Sequence, residues 1–493
     1  MAANVFVTNK DEVYAKVDCD DGVAYELRDH FTFMVPGYQF TPQYRSRLWD
    51  GKIRLFDVRT KQIYRGLVTN VEQFCKSRKY DYAYKDEVYA NEFSLSEAIQ
   101  FAKSINPKHE PRDYQLDAFT HAIRNRRNLL LSPTASGKSL IIYLVIRYLL
   151  DGHCGKGLII VPTISLVEQL FSDFADYSEN NGWPTKDNCH KIYQGQEKVT
   201  DKPVTISTWQ SIYKMPKSYF EQFDFVIGDE AHQFKAKSLA DIMTGLTKAK
   251  YRIGTTGTLD GTKTHRLVLE GLFGQVHKVT TTKELMDQNH LADFEIKCLL
   301  LKHSDSICQA AKSFKYAQEI EYLVLNETRN KFIRNLALSL TGNTLILYQY
   351  VDKHGKILYN LIKDKAEGRK VFFVYGATDV EVREETRRIV ESEDNAIIVA
   401  SYGTFSTGIN IRNLHNIIFA SPSKSRIRNL QSIGRGLRKG DKKTSAVLYD
   451  IADDLRWKSH ENFTIKHFAE RIRIYGEEKF RFKVYKIELK DKT

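Results

Sequence analysis

Phe223-Asp224-Phe225-Val226-Ile227-Gly228-Asp229-Glu230-Ala231-His232 is the stretch on which the fold turns. Its apolar run, Phe223 to Ile227 with Asp224 inside, reads as a strand buried in a parallel sheet. Such a strand delivers its last residues to the carboxyl edge of an open sheet, where α/β proteins bind ligands. Two adjacent carboxylates at that edge can divide the work, one holding Mg²⁺ and the other steering or deprotonating water. An Asp-Glu pair on its own is most often solvated surface, so the assignment depends on its surroundings.

Upstream, Asn128-Leu129-Leu130-Leu131 reads as a short apolar strand and Leu140 to Leu150 as a mostly apolar helix. Between them stands Ser132-Pro133-Thr134-Ala135-Ser136-Gly137-Lys138-Ser139. Strand, tight loop, Gly-Lys-Ser and helix form the setting of a phosphate-binding loop. Its backbone N–H groups and the helix N-terminus face the phosphates, Lys138 reaches the terminal ones, and the Ser139 hydroxyl binds Mg²⁺. Ser132 stands where the general pattern has its first glycine. A Ser/Thr-rich turn before a helix has a similar composition, but the downstream acids favour a nucleotide site.

With 493 residues the chain has material for about three domains by the usual size prior. A 42% hydrophobic and 27% charged content is that of a soluble globular protein. A net charge of +13 suggests a polyanionic partner, and 12% aromatic residues offer stacking surfaces. Charge alone does not decide the matter, since many basic proteins bind no nucleic acid. The six cysteines (19, 75, 154, 189, 298, 308) are scattered without zinc-type spacing, so reduced thiols in a cytoplasmic compartment are expected. Met1 to Phe6 lacks the basic-then-apolar pattern of a secretion signal, and no apolar run is long enough to span a bilayer, so no membrane partner is expected.

Residues 1–105 are rich in aromatics and short strands, with turn signals at Pro36-Gly37 and Asp50-Gly51, and read as a small α+β domain. From Pro107 the pattern becomes one of βα units. Leu158–Val161, Val204–Ser207 and Tyr251–Gly254 are strand candidates in a first doubly wound parallel sheet, assigned to 106–290. A second series begins near Cys298 and continues at Thr344–Tyr348, Val371–Val374, Ala396–Ala400, Asn416–Ala420 and Ala446–Tyr449, assigned to 291–493 with a C-terminal helical extension. Only the first sheet has a phosphate loop, which suggests a nucleotide clamped between the two.

The ordered set of motifs resembles a superfamily-two helicase of the DEAH-box type, a motor with two RecA-like domains. Arg112-Asp113-Tyr114-Gln115 is similar to the adenine-reading segment, with Gln115 as the base reader. Lys138 and Ser139 match the first motif, Asp229-Glu230-Ala231-His232 the second, and Thr256-Gly257-Thr258 the third. Ser406-Thr407-Gly408-Ile409-Asn410 is similar to the fifth motif and Gln431-Ser432-Ile433-Gly434-Arg435-Gly436-Leu437-Arg438 to the sixth. The likeness spans roughly residues 107–455.

The resemblance implies ATP and Mg²⁺ as cofactors. ATP is held by Arg112, Gln115, Thr134, Ala135, Ser136, Gly137, Lys138, Ser139, Asp229, His232 and Gly408, and the metal by Ser139 and Asp229. Glu230 activates the attacking water, Gln431 helps place it, and Arg435 and Arg438 stabilise the terminal phosphate, an assignment that suits phosphoryl transfer by positioning and charge neutralisation. His232, Thr256 and Thr258 couple the nucleotide pocket to movement. The two arginines also read as part of an exposed basic helix face with Arg426, Arg428 and Lys439.

Pro162, Thr163, Thr208, Trp209, Gln210, Tyr402, Ser406 and Thr407 follow strand ends and suit nucleic-acid contacts, hydroxyls and free N–H groups gripping phosphates without reading sequence. Trp209 is equally readable as a stacking platform or a buried ring. In the N-terminal domain, Gly37-Tyr38-Gln39-Phe40 and Tyr44 to Phe56 interleave aromatics with bases, including Arg45, Arg47, Trp49 and Lys52. About half of these aromatics are expected in the core. The arrangement, with its Trp49-Asp50-Gly51-Lys52 turn, resembles the accessory domain of UvsW-type phage helicases.

The resemblance implies an ATP-dependent DNA helicase that unwinds or branch-migrates forks and Holliday junctions in phage replication, recombination and repair. A monomeric motor with three-prime to five-prime polarity, acting in the host cytoplasm, is expected. Candidate protein partners are single-strand-binding and recombination proteins. Two other readings stand beside it: an RNA helicase or duplex-DNA translocase that separates no strands, and a nucleotide-gated nucleic-acid-binding protein.

Overall fold

The computed structural model describes residues 4–86, 92–152, 154–234, 236–408, 411, 413–421, 425–437, 443 and 445–489. Contacts divide the chain into two compact units, Met1–Ser132 with Gly137–Val279, and Pro133–Ser136 with Thr280–Thr493.

The first unit is built on a seven-stranded sheet in which every neighbouring pair is parallel. Its order is Cys189–Ile192, Val204–Thr208, Gly157–Val161, Phe225–Asp229, Tyr251–Thr256, Arg127–Leu131, Val276–Lys278. Successive side chains go to opposite faces. Leu158, Ile160 and Val226 enter one apolar cluster, whereas Ile159, Val161, Phe225 and Ile227 enter another. This explains the unbroken apolar runs, since both faces are covered. The strand expected at Phe223–Ile227 runs instead from Phe225 to Asp229. Asp224 is spent on the turn before it, where its carboxylate accepts the N–H groups of Gly155 and Lys156 at 2.8 and 3.0 Å.

The N-terminal region of this unit forms a five-stranded sheet in the order Phe56–Asp57, Gln62–Tyr64, Tyr14–Asp18, Asn4–Asn9, Asp81–Tyr84. Only its last pairing is parallel. Helices Asp21–His30 and Val68–Arg78 contribute Val23, Leu27, Val71 and Phe74 to its core. That core is continuous with one face of the seven-stranded sheet, including Leu269, Leu272 and Phe273 of helix Lys263–Phe273. Glu12 joins the two parts ionically, pairing with Arg65 at 2.6 Å and with Arg127, whose guanidinium also donates to the Glu12 carbonyl at 2.7 Å. Gly66 permits a close approach, because a Cβ there would lie 2.0 Å from the Glu270 carbonyl oxygen.

The second unit holds another seven-stranded parallel sheet, ordered Val371–Val374, Ile397–Ser401, Thr344–Tyr348, Asn416–Phe419, Ser445–Asp454, Asp293–Lys302, Arg481–Glu488. The edge strand Arg481–Glu488 has no continuous apolar run and was not legible in the sequence. Buried charges are paired here: Arg329 Nε donates to both Asp453 oxygens at 2.9 and 3.0 Å, and Arg471 Nε does the same to Asp450 at 3.0 and 2.8 Å. Among the described residues, no helix is long and apolar enough to cross a membrane.

Candidate nucleotide site and nucleic-acid interface

Helix Lys138–Leu150 is apolar almost all round, as a helix inserted into a core must be. Its N-cap, Gly137, has φ +75°, and Ala135 has φ +68°. Left-handed residues on either side of Ser136 turn successive N–H groups inward, a backbone nest that suits phosphate. A Cβ on Gly137 would strike Gln115 Nε2 at 2.4 Å. The Ser136 hydroxyl donates to the Pro133 carbonyl at 2.7 Å and closes the turn. Lys138 Nζ lies 3.4 Å from the Ser132 carbonyl oxygen, and the Ser139 hydroxyl lies 2.7 Å from that of Tyr177. Gln115 is buried; its amide donates to the Gly137 carbonyl at 3.2 Å while its oxygen accepts the Arg112 N–H at 2.9 Å. These bonds tie the segment around Arg112 to the phosphate-type loop.

Strand register sets the second wall. Asp229 pairs with Thr255, and Thr256 with Leu131, which brings three strand ends into one row at the carboxyl edge. The Thr255 hydroxyl donates to Asp229 Oδ1 at 2.6 Å. Burial, reinforced by the Glu230 charge, holds the Asp229 carboxyl above the usual carboxylate range, against the opposing pull of Lys138 and Thr255. A buried acid facing an ammonium, a serine hydroxyl one residue along and an N–H nest is a donor set that fits a nucleoside triphosphate with a hard divalent cation.

Glu230 has φ +51°, rare for a residue with a long side chain and worth about 1–3 kcal/mol of strain. That kink ends the strand and turns the carboxylate aside, so that Glu230 is 22% exposed while Asp229 is 7% exposed. His232 Nδ1 lies 3.0 Å from Thr256 Oγ1 and 3.3 Å from Glu230 Oε2. The Thr256 hydroxyl donates to the Thr258 carbonyl at 3.1 Å, so it meets His232 as an acceptor and the proton sits on Nδ1. The His232 carbonyl in turn accepts from His265 Nε2 at 2.9 Å.

In the second unit, Gln431 is half-buried on helix Arg426–Gly436. The side chains of Arg435, Arg426 and Arg428 on that helix, and of Ser406 and Thr407 on helix Tyr402–Gly408, lie outside what the structure describes, as do Ile409, Asn410, Arg438 and Lys439 altogether.

The nucleic-acid candidates divide between exposed and structural positions. Thr163 caps helix Ile164–Tyr177, accepting the Leu166 N–H at 3.4 Å, and the Pro162 carbonyl accepts from Gln210 Nε2 at 3.3 Å. The Thr208 hydroxyl lies 2.9 Å from that of Ser211. Trp209 is partly buried against the core, edge-on to Tyr213 at 5.9 Å. Tyr402 is buried and donates its hydroxyl to the Ser421 carbonyl at 3.0 Å. In the N-terminal lobe, Trp49 Nε1 donates to the Lys52 carbonyl at 2.9 Å and Arg45 Nε to that of Gln39 at 3.3 Å. Arg45, Arg47, Trp49 and Leu48 line an open depression of about 580 Å³. Phe40 and Leu48 project beside it, 74% and 82% exposed.

Sequence reasoning missed Thr255, Tyr177 and His265. Thr255 was visible as the neighbour of Thr256 on an inward-facing strand end, but the other two reach the site from separate helices and leave no local signal.

Three family models match the chain: "DNA helicase UvsW, N-terminal" over residues 4–85, "Type III restriction enzyme, res subunit" over 108–261, and "Helicase conserved C-terminal domain" over 327–440. The ATP-dependent DNA helicase uvsW of Enterobacteria phage T4 is 35% identical over 97% of this chain and 98% of its own length. A DNA 3'-5' translocase of Sulfurisphaera tokodaii is 24% identical over 70% of this chain and 82% of its own. The crystal structure of T4 UvsW superimposes with a TM-score of 0.53 at 33% identity, covering 99% of this chain and 100% of that one.

Proposed function

This chain belongs to the UvsW family of ATP-dependent DNA helicases, and from that membership we propose a motor that unwinds or branch-migrates forked and four-way-junction DNA with three-prime to five-prime polarity. The observation that carries the reading is the row formed by Asp229, Thr255 and Thr256 beside the Ser132–Ser139 loop, in a chain that aligns with a DNA helicase almost end to end. Mg²⁺, when bound with ATP, supplies charge neutralisation at the phosphates. Lys138, Ser139 and Asp229 are the residues assigned to hold it and the nucleotide, with Arg112 and Gln115 at the base and Thr134 to Gly137 as the cradle.

Glu230, turned aside by its left-handed backbone, takes the proton from the attacking water, and Gln431 orients that water. Arg435 and Arg438 are assigned to stabilise the terminal phosphate and Gly408 to hold the nucleotide. His232, hydrogen-bonded to Thr256 and through it to Thr258, passes changes at Glu230 into the strand end, which is the coupling role assigned to these three.

DNA backbone contacts are assigned to Pro162, Thr163, Thr208, Gln210, Ser406 and Thr407. The buried ring of Tyr402 and the partly buried ring of Trp209 support those loops rather than stack on bases, so Tyr402 acts through its backbone. Arg45, Arg47, Trp49 and Lys52, beside the projecting Phe40 and Leu48, engage the branch point. The motor works as a monomer in the host cytoplasm, loaded by single-strand-binding or recombination proteins.

ATP hydrolysis measured with forked DNA, linear duplex, single-stranded DNA and RNA tests the reading. Stimulation by DNA, greatest on forks, is expected. Stimulation by RNA alone would overturn the substrate assignment, and DNA binding without any turnover would favour a nucleotide-gated binding protein.

A further inference from the structure

Exposed aromatic rings are costly unless something covers them, so their grouping is informative. In the second unit, Tyr316, Tyr350 and Phe463 are 43%, 39% and 38% exposed. They come from three separate elements: the rings of Tyr316 and Phe463 meet, and Tyr350 lies near enough for its charge to act on Tyr316. Tyr316 opens helix Tyr316–Leu325, and its ring stands edge-on to Phe463 at 5.8 Å and tilted to His467 at 5.5 Å. Phe463 and His467, one helical turn apart on helix Phe463–Glu477, present the same face. Tyr350 follows strand Thr344–Tyr348 and leads into the π-helical turn Val351–Gly355; burial and the nearby Tyr350 both push the Tyr316 phenol up.

The cluster is held rigidly from behind. The buried Glu319 carboxylate accepts the N–H groups of Phe463 and Thr464 at 2.8 and 2.7 Å, locking one helix start onto the other. His354, inside the π-helical turn, is buried with Nδ1 3.0 Å from Ser421 Oγ, and that hydroxyl accepts the Gln349 N–H at 3.1 Å. Lys353 pairs with Glu321 and ties the turn to helix Tyr316–Leu325. Lys466 on helix Phe463–Glu477, Lys315 at the cap of helix Tyr316–Leu325 and Lys312 shortly before it are exposed, and no ion pair among the described residues engages them. Of the acids on these elements, Glu321 is paired with Lys353, Asp352 with Lys356 and Glu470 with Arg473.

Tyr350 stands at the carboxyl edge of the second sheet, on the same edge as Ser401–Thr404 and Ser421, where open parallel sheets take their ligands. We propose that Tyr350, Tyr316 and Phe463 form a base-stacking platform for single-stranded DNA, with Lys312, Lys315 and Lys466 tracking its backbone. The inference rests on the DNA-motor reading and adds a stacking surface to it. Aromatic faces beside unpaired lysines are the combination that binds single strands without regard to sequence.

The test is affinity of the full chain for an oligothymidine strand, paired with photocrosslinking of the same strand carrying 5-iododeoxyuridine. Tyr350→Leu is expected to weaken binding about tenfold, and Tyr350→Phe to stay within about twofold of the parent, because the ring and not the hydroxyl stacks. Crosslinks should map to Tyr350, Tyr316 or Phe463, and thermal unfolding of Tyr350→Leu should match the parent. Parental affinity in Tyr350→Leu, or crosslinks confined to other segments, would overturn the platform and leave this face to a protein partner. The unsubstituted chain separates the two failures: if it shows no DNA-stimulated hydrolysis, the motor reading falls as well.

Discussion

Replacing Thr255 by valine removes one proton donor from the nucleotide site and little else. Thr255 is 1% exposed, and its hydroxyl donates to Asp229 Oδ1 at 2.6 Å. Valine keeps the β-branched shape that a strand favours, so the wall should stay in place. A hydrogen bond to a charged acceptor contributes about 1.5–3 kcal/mol, which corresponds to about 10- to 150-fold in a rate or affinity. Burial and Glu230 already disfavour the Asp229 charge, and losing Thr255 leaves Lys138 as the main opposing influence. Steady-state ATP hydrolysis with saturating single-stranded DNA, repeated across an Mg²⁺ titration, should show kcat/KM lowered at least about tenfold and partly recovered at high Mg²⁺. Thr255→Ser should restore it, since the hydroxyl returns. A valine variant that unfolds normally and stays within about twofold of the parent at every Mg²⁺ concentration would refute the assigned role of Asp229.

Asp453→Asn should destabilise the second unit by about 3–5 kcal/mol, because it leaves the fully buried Arg329 charge without its carboxylate. The double variant Asp453→Leu, Arg329→Met should recover much of that loss in a denaturant melt, and an unaltered midpoint in Asp453→Asn would contradict the pairing. Acid should weaken the same unit in two stages. Burial and Arg329 lower His354 from 6.5 to about 3, while for Asp453 burial is outweighed by Arg329 and His303, which bring it from 3.8 to about 2. Both folded values lie below the unfolded ones, so the stability they confer is complete above pH 6.5 and declines as pH falls, first through His354. A His354→Asn variant should lose the upper stage, and a parental profile in that variant would count against it. Gly66→Ala places a Cβ 2.0 Å from a backbone oxygen, so one chain must move. A destabilisation of about 1–3 kcal/mol is expected in the melt of the first unit; an unchanged melt would mean that the approach is looser than described.

The motor's architecture was legible because parallel strands buried on both faces leave continuous apolar runs that need no partner to be recognised. Thr344–Tyr348 and Val371–Val374 begin and end where their sequence patterns do. The start of the acid-bearing strand was misplaced by two residues because Phe223 is apolar for another reason, packing into the core below a turn that Asp224 closes. Edge strand Arg481–Glu488 was hidden, since a half-exposed strand carrying Arg481, Lys483 and Lys486 has no apolar run. Of the site, the chain-local part was readable: the loop, the acids and the threonines. Contacts made across long sequence separations, such as Tyr177 with Ser139 and His265 with His232, were not. The N-terminal region also proved less separable than its composition suggests. It shares a core with the first large sheet, so its proposed DNA role is better probed by Arg45→Ala and Arg47→Ala than by deletion.

In the proposed mechanism, Glu230 drives strand separation through ATP hydrolysis. The direct measurement is separation of a forked DNA substrate with ATP by the intact chain and by Glu230→Gln, with ATP binding followed in parallel. The parent is expected to separate the strands, whereas the variant binds ATP about as well and leaves the fork intact. Fork separation by Glu230→Gln at the parental rate would contradict it.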